Sequence, residues 1–304
     1  MDKLQGMSVF VQIVERGSLT AAAEALGKSL PSVVRILASL EDALQVRLLN
    51  RTTRRIALTE EGRVYLERCR RILAEIEDAE LELGWHQAEP RGLITVTAPV
   101  RFGEMHVAPA VARFLRRYRQ VQVKLLLLDR VIDILDEGVD VAVRIAPLAD
   151  SSLIAKPVSS IRQVVCVSPQ LLAETGRPER PEDLSGLPCV RFTGISAGSL
   201  WRFRENGKPL PVSVSGSLSC NQVSPSVSAC IAGLGFGMFL SYQVMPEVRR
   251  GELELVLTEF EPEPLPLSLV FPQNRLLSTR VRSFVDWMAQ VLPESLTAEK
   301  GDRA

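Results

Sequence analysis

The sequence predicts a mainly α-helical N-terminal domain, a connecting helix and a larger α/β C-terminal domain. Apolar residues recur at helical spacing over residues 4–44, and a second helical pattern covers 65–83. After a breaker cluster at 89–92, strand and helix patterns alternate. With 304 residues, 46% of them hydrophobic and 24% charged, the chain is long enough for two or more domains with their own cores.

The first 44 residues contain three predicted helices. The first spans 4–15, and a short alanine-rich helix spans 20–26. Gly27 supplies a tight turn, Ser29 is a good N-cap, and Pro31 falls in the first turn of the third helix. That helix is expected to bury Val33, Leu37, Leu40 and Leu44 and to expose Leu30, Val34, Arg35 and Ala38. The pattern predicts a helix-turn-helix whose second helix enters a DNA major groove. A helical hairpin packed in a core would show the same spacing.

A basic hairpin follows this motif. Residues 46–62 predict two short strands around the turn Arg51-Thr52-Thr53-Arg54-Arg55. Arginines in such a tip neutralise phosphates, and hydroxyl groups donate to them. A basic tip is usually a solvated turn, but its place directly after a helix-turn-helix favours a phosphate-binding wing. Thr59 is then expected to cap a new helix.

Charge is distributed unevenly, although the whole chain is neutral. Residues 1–71 hold 12 Lys and Arg against eight Asp and Glu, a net charge of +4. Residues 72–89 hold six acids and no Lys or Arg. A basic N-terminal piece beside an acidic stretch indicates a polyanionic partner for the first piece only.

The connecting helix carries a short heptad seam. Its apolar residues recur at steps of four and three, at Tyr65, Cys69, Ile72, Ile76, Ala79 and Leu83. Because the seam lasts less than three heptads, it fits a helix packed in a core as well as a coiled coil. Its place between two domains favours dimerisation, which would present two recognition helices to two DNA half-sites.

The C-terminal part predicts two series of strands and helices. Strands at 93–97, 121–128 and 139–145, with a helix at 130–137, form a βαβαβ unit with a mainly parallel sheet. A second series begins after Val158. Its predicted strands are 161–167, 200–204, 211–218, 236–240 and 253–258. A last strand at 267–271 and a helix at 278–291 are expected to return to the first lobe.

Several classes of protein and site are disfavoured. Five cysteines with an odd count and no CxxC pair indicate reduced cytosolic thiols, and two histidines in unrelated contexts argue against a metal site. No apolar run reaches the length of a membrane span and no signal peptide is evident, so we expect a cytoplasmic protein without a membrane partner. No nucleophile elbow, HExxH or Walker motif appears, so we expect no enzymatic activity and no cofactor.

A dense set of positions carries a family resemblance over the first 62 residues. They are Gly17-Ser18, Thr20 to Ala23, Ala25-Leu26, Ser29, Pro31, Leu40-Glu41, Leu44, Leu48 to Arg55 and Leu58 to Gly62. This stretch resembles the winged helix-turn-helix of the LysR-type transcriptional regulators. The resemblance implies DNA contacts from Ser29, Leu30, Pro31, Ser32, Val34, Arg35, Arg51, Thr52, Thr53, Arg54 and Arg55.

Four positions depart from the family pattern. Leu30, Val34 and Ile36 stand where polar residues are common, and Gln45 replaces a usual glycine. Arg35 is retained. We therefore expect Leu30 and Val34 to meet thymine methyl groups and Arg35 to read a guanine or hold a phosphate.

Residues 91–292 resemble the family's regulatory domain. Matching segments are Ala98-Pro99-Val100, Phe102-Gly103, Asp129 to Asp133, Glu137 to Arg144, Asp150 to Leu153 and Pro181 to Leu184. This domain is similar to periplasmic binding proteins, with two α/β lobes around an effector cleft. The implied division is a DNA-binding domain at 1–62, a linker helix at 63–89 and a regulatory domain at 90–304. Lobe 1 is expected at about 91–160 and 266–292, and lobe 2 at about 161–265.

The expected effector contacts come from both lobes. In lobe 1 they are Pro99, Val100, Arg101 and Phe102, in the loop after the first strand. There a helix N-terminus attracts anions and Arg101 is a candidate partner for a carboxylate. In lobe 2 they are Thr193, Asn221 and Gln222. The ordinary alternatives are that Arg101 points to solvent and that Asn221 caps a helix.

The resemblance implies a homo-oligomeric regulator of transcription, a dimer or a tetramer. It would bind double-stranded DNA and a small-molecule effector, an organic acid, with RNA polymerase as a further partner. The alternatives are a thiol-redox-sensing regulator using Cys220, a two-lobed solute-binding protein, and an enzyme. Against the thiol alternative, Cys220 and Cys230 have few basic neighbours in the sequence and fit buried apolar positions.

Overall fold

The computed structural model describes residues 2–52, 55–83, 89–130, 132–134, 137–147, 153–194, 199–273 and 277–300. Side chains at 51, 52, 55, 74, 75, 77–83 and 298–300 also lie outside the description. The chain divides into two compact units, residues 1–88 and 89–304. Among the described residues, no helix is both long enough and apolar enough to cross a membrane.

The first unit contains four helices and a two-stranded hairpin. In chain order they are α1 (Lys3–Arg16), α2 (Leu19–Ala25), α3 (Leu30–Leu44), β1 (Leu49–Thr52), β2 (Arg55–Leu58) and α4 (Glu60–Leu83). The two strands are antiparallel, as predicted. The helix-turn-helix and the hairpin after it are therefore confirmed.

The predicted caps begin the helices of this unit. The Ser29 hydroxyl oxygen accepts a hydrogen bond from the Ser32 N–H at 3.4 Å at the start of α3. The Thr59 hydroxyl oxygen accepts from the Gly62 N–H at 2.8 Å at the start of α4. Gly27, with a φ of 60°, makes the left-handed turn between α2 and α3.

One hydrophobic cluster holds these elements together. Its buried side chains come from all four helices and from the segment that enters β1, and they include Phe10, Ala22, Leu37, Leu48 and Cys69. The hairpin is tied to α3 by Glu41, whose Oε1 accepts the N–H groups of Leu48 and Leu49 at 2.8 and 3.2 Å. Val33, Leu37 and Leu40 are buried as predicted, and Leu44 is half-buried.

The heptad seam of α4 divides into two parts. Cys69 is fully buried in the core of the first unit, and Tyr65 packs against Phe10 with ring centroids 6.0 Å apart. Ile72 is 37% exposed and Ile76 is half-buried. The side chains of Ala79 and Leu83 lie outside the description. The N-terminal half of the seam is thus core packing, which is one of the two interpretations left open by its spacing.

The second unit has two lobes, each built on a five-stranded sheet. The lobe 1 sheet has the order β4-β3-β5-β14-β6. Its strands are β3 (Gly92–Ala98), β4 (Val121–Leu127), β5 (Val141–Ile145), β6 (Leu153–Ile161) and β14 (Leu265–Pro272). Its helices are α5 (Val100–Phe102), which continues as a π-helical turn at Gly103–Val107, α6 (Ala108–Arg117) and α10 (Thr279–Lys300).

The lobe 2 sheet has the order β11-β8-β12-β7-β13. Its strands are β7 (Gln163–Val167), β8 (Pro188–Phe192), β11 (Ser215–Cys220), β12 (Phe236–Leu240) and β13 (Glu254–Val256). Strands β9 (Leu200–Glu205) and β10 (Lys208–Ser213) form a separate antiparallel hairpin. The helices are α7 (Pro169–Thr175), α8 (Val223–Ile231) and α9 (Ser241–Arg249).

The structure of this unit confirms one sequence prediction, contradicts another and adds two strands. The mainly parallel sheet predicted for lobe 1 is confirmed, because β3, β4, β5 and β6 run in the same direction and β14 runs against its neighbours. In the lobe 2 sheet, β7 is the strand that runs against its neighbours. Strands β6 and β8 were not predicted. The described residues of the predicted helix 130–137 form turns, held by single bonds such as Val139 N–H to Ile134 C=O at 2.9 Å. The apolar residues of that segment pack individually under β5, so a regular helix is not needed to bury them.

Candidate functional site

The outer face of α3 presents the predicted DNA-reading residues. Leu30 is 41% exposed, Arg35 is exposed and Val34 is half-buried. No ion pair occupies Arg35 among the described residues, so its guanidinium is available to an external acceptor. Ser29 and Pro31 are exposed at the start of the helix and Ser32 is half-buried.

The hairpin follows α3 directly, with Thr52 paired to Arg55 across its tip. Thr53 and Arg54 lie outside the described residues, as do the side chains of Arg51, Thr52 and Arg55. Their predicted phosphate contacts therefore stay predictions. The backbone of the hairpin has the form of a wing.

A cavity of about 720 Å³ lies in the second unit, with walls from both lobes. Lobe 1 contributes Pro99, Leu128, Asp129, Arg130, Arg144, Ile145, Ala146, Pro147 and Leu265. Lobe 2 contributes Gln163, Phe192, Gly194, Leu200, Trp201, Arg202, Met238, Leu240, Tyr242 and Gln243. Most of these side chains are apolar, and the volume suits a small organic molecule.

Arg144 is a half-buried cation of the cavity wall. Its Nη2 donates to the Ile132 carbonyl at 3.1 Å, and no carboxylate among the described residues pairs with it. Burial lowers the pKa of this guanidinium, because desolvation disfavours its charged form. An anion in the cavity would offset that desolvation.

Two other charged groups of the wall have protein partners. Arg130 forms a two-point ion pair with Glu137, at 3.0 and 3.4 Å. The Asp129 Oδ1 accepts the N–H of Val100 at 3.0 Å and so holds the start of α5. Arg202, on β9, is exposed.

The predicted lobe 1 contacts separate in the structure. Pro99 lines the cavity, Val100 is held by Asp129, and Phe102 is fully buried in the lobe 1 core. Arg101 does not line the cavity. Its Nη2 lies 3.3 Å from Oε1 of Glu247, so the carboxylate partner of Arg101 belongs to the protein itself. In this structure Arg101 is directed to Glu247, and its contact with an effector stays a prediction.

The predicted lobe 2 contacts are not part of the cavity lining, although Thr193 stands between two lining residues, Phe192 and Gly194. Thr193 bonds the Cys220 carbonyl through its N–H and its hydroxyl, at 2.9 and 3.3 Å. Gln222 is the N-cap residue of α8, without a side-chain capping bond, and Asn221 is exposed. Sequence reasoning missed Arg144 and Trp201. Arg144 sits near the carboxyl end of β5, and ligands of α/β sheets gather at such ends.

The cysteines are mostly core residues. Cys69, Cys166, Cys189 and Cys230 are buried, and burial raises the pKa of the Cys69 thiol to about 11 and that of Cys189 to about 12. Cys220 is half-buried at the end of β11. No group of His, Cys, Asp and Glu among the described residues is arranged to hold a metal ion.

The chain matches two family profiles. Residues 4–63 match "Bacterial regulatory helix-turn-helix protein, lysR family", and residues 87–293 match "LysR substrate binding domain". The first match covers the helix-turn-helix and the hairpin, and the second covers both lobes with the cavity.

Several known proteins match this chain over nearly their whole length. An HTH-type transcriptional repressor of Pseudomonas aeruginosa is 34% identical, covering 97% of this chain and 94% of the relative. The HTH-type transcriptional activator AaeR of Escherichia coli is 32% identical, covering 96% of each chain. The structure of CrgA, a LysR-type transcriptional regulator from Neisseria meningitidis, is 32% identical. It has a TM-score of 0.60 and covers 95% of this chain and 98% of that one. This chain belongs to the LysR family of DNA-binding transcriptional regulators, with a two-lobed effector-binding domain.

Proposed function

We propose that α3 reads DNA in the major groove while the hairpin β1–β2 contacts phosphates. The observation that carries this proposal is the exposed face of α3, which presents an apolar residue, Leu30, beside the unpaired cation Arg35. Apolar side chains recognise the thymine methyl group, and an arginine recognises guanine through two hydrogen bonds. The bound site should therefore be rich in thymine at the positions facing Leu30 and Val34.

The test is selection of binding sites from a random duplex pool with the full-length protein, at two salt concentrations. We expect a two-fold symmetric site with half-sites one helical turn or a multiple of it apart. The double variant Leu30→Gln/Val34→Ser should lose the thymine preference at those positions. Arg119→Gln, an exposed substitution in the second unit, is the control and should leave the motif unchanged. An unchanged motif in the double variant would contradict the proposed readout.

We further propose that a small organic acid with an apolar body is the effector in the cavity. Support comes from Arg144, a partly buried cation without a carboxylate partner among the described residues, in a wall formed mostly by apolar side chains. A carboxylate would receive charge-assisted hydrogen bonds from Arg144, and its body would contact groups such as Phe192 and Trp201.

Calorimetric titration of the full-length protein with benzoate and with benzamide tests this proposal, since the two probes have similar size and differ in charge. We expect benzoate to bind and benzamide to bind more weakly. Arg144→Gln should weaken benzoate binding about 10- to 100-fold, the value of a charged hydrogen bond. Arg130→Gln is the matched control, because Glu137 already neutralises that arginine. Equal losses in the two variants would exclude a specific role for Arg144.

We propose that the active form is a homodimer or homotetramer joined in part through α4. Support comes from Val64 and Ile72, which are 58% and 37% exposed on that helix and eight residues apart, about two helical turns. Sedimentation of the Val64→Glu/Ile72→Glu variant should show smaller assemblies than the unmodified chain. A contact with RNA polymerase stays a prediction.

A further inference from the structure

The two lobes are joined by two chain segments, β6 to β7 and β13 to β14, which meet at Arg162. This residue separates β6 from β7, and its carbonyl accepts the N–H of Ser241, at the start of α9, at 2.9 Å. Its guanidinium forms a two-point ion pair with Glu261, between β13 and β14, at 2.7 and 2.5 Å. Because Arg162 lies between β6 and β7 and belongs to neither sheet, rotation about this joint would leave both sheets intact.

Helix α9 leaves this joint and packs on both lobes. Tyr242 belongs to the lobe 1 core, where its ring meets Phe102 edge-on at 5.1 Å. Val244 and Val248 belong to the lobe 2 core. Glu247 lies between them in sequence, about 9 Å along the helix from Ser241 at 1.5 Å per residue.

Glu247 forms an ion pair between the lobes with Arg101, away from the joint at Arg162. Its Oε1 lies 3.3 Å from Nη2 of Arg101, in the α5 turn of lobe 1. The Glu247 side chain is 9% exposed and that of Arg101 is 26% exposed, so water screens the pair weakly. Arg250 also approaches Glu247 at 3.5 Å, but Glu252 already binds its guanidinium at 2.9 Å.

The pair is incompletely satisfied. Nε of Arg101 and Oε2 of Glu247 are both buried and have no hydrogen-bond partner among the described residues. A buried ion pair with unsatisfied atoms adds little to stability, because desolvation offsets the attraction. Such a pair does fix geometry, since it forms at one relative position of the two lobes and is lost when they rotate.

We propose that Arg101 and Glu247 form a latch that holds the lobes in the observed orientation. Neither residue lines the cavity, so both act as positioning residues. Arg101 is nevertheless close to the cavity in the sequence, because Pro99, two residues earlier, lines the cavity wall. Its neighbour Val100 donates its N–H to Asp129, which lines the same wall. A ligand that displaces this turn would therefore weaken the latch. This last consequence rests on the proposed effector site, whereas the latch itself does not.

Hydrogen–deuterium exchange on the full-length protein tests the latch in Arg101→Gln, Glu247→Gln and the charge swap Arg101→Glu/Glu247→Arg. Each single variant should exchange about tenfold faster in two peptides, 98–104 of lobe 1 and 240–248 of α9, because the interlobe contact is lost. The swap should restore part of the protection in both peptides, because it forms the pair again but places a second cation beside Arg250, which lies 3.5 Å from position 247. Arg177→Gln is the matched control, since its partner Glu254 lies in the same lobe. It should leave both peptides unchanged.

Two results would overturn the latch. One is faster exchange in α9 alone, which would mean that the pair only stabilises that helix. The other is no change in either peptide. If Glu247→Gln unfolds the chain, Arg101→Lys is compared with Arg101→Gln instead. The latch requires that Arg101→Lys, which keeps the positive charge, also keeps the protection of both peptides from exchange, and that Arg101→Gln loses it. Failure of benzoate to bind would count against the effector proposal and would leave this comparison unaffected.

Discussion

The two units of this protein distribute their hydrophobic cores in different ways. All elements of the first unit share one cluster, which includes residues from Val9 to Cys69. The second unit has separate clusters in each lobe, and one lobe 1 cluster also includes Leu240 and Tyr242, where β12 leads into α9. A single core responds to a perturbation as a whole, whereas two cores on a narrow joint can keep their internal packing and change their relative orientation. A single rigid core suits a domain that reads DNA, and two lobes on a joint suit a domain that responds to a ligand.

The largest expected effect comes from a cavity in the first core. Leu37→Ala removes a fully buried side chain of α3 and should cost about 2–5 kcal/mol of unfolding free energy. DNA affinity should fall near physiological temperature, because the recognition helix depends on that core. Leu269→Ala, at a fully buried position of lobe 1, is the matched substitution and should spare DNA binding. Calorimetry measures the unfolding of the two variants, and titration with DNA measures their affinity. A single unfolding transition that both variants shift equally would contradict the independence of the cores of the two units.

Acid should destabilise lobe 1 through His106. This side chain is buried beside Phe102 and Tyr242, and burial lowers its pKa from 6.5 to about 4. The unfolded chain therefore binds a proton first as the pH falls. The free energy of unfolding should drop by up to about 1.4 kcal/mol per pH unit between pH 6.5 and 4. Thermal unfolding of His106→Gln should show a smaller pH slope than the unmodified chain. An identical slope would remove His106 as the cause.

Arg35→Ala should weaken DNA binding without changing the stability of the first unit. If Arg35 reads a base, the loss should be about 1–3 kcal/mol and confined to one position of the site. If it holds a phosphate, affinity should fall equally for all sequences, with a smaller salt slope. Arg68→Ala, at an exposed position of α4, is the control. Binding unchanged by Arg35→Ala would contradict its place on the reading face.

The smallest expected effect is at the N-cap of α3. Ser29→Ala removes one bond of 3.4 Å to the Ser32 N–H and should cost about 1 kcal/mol or less. Ser18→Ala removes the shorter cap of α2, at 3.1 Å, and should cost at least as much. Chemical denaturation monitored on the first unit compares the two. The reverse order would indicate that Ser29 has a further structural role.

The first unit was predictable because its determinants are local. Ser29, Pro31 and the spacing of Val33, Leu37 and Leu40 lie within one helix, and the hairpin is formed by strands that pair across a short turn. The α4 seam was ambiguous because spacing does not show which partner a helix face meets. The structure places Cys69 in the core of the same unit.

The cavity was less predictable because its walls come from distant parts of the chain. Pro99, Arg144, Trp201 and Leu265 converge there only through the sheet order and the return of β14 to lobe 1. The carboxyl ends of strands were a sound guide to the region. Position at a strand end did not distinguish Arg101 from Arg144, because one follows a strand and the other ends a strand of the same sheet. In the structure, Arg101 pairs with Glu247 and Arg144 lines the cavity.

By itself the sequence determined the order of the domains, the helix-turn-helix with its hairpin, the alternation of strands and helices, and the family. These depend on periodicity, capping residues and turn residues that act over a few positions. Only the tertiary structure decided the mixed direction of both sheets, the walls of the cavity and the partner of Arg101. Those features depend on contacts between residues far apart in the sequence, as when β5 and β6 meet β14 or when β12 and β13 meet β7. No local pattern specifies such pairing.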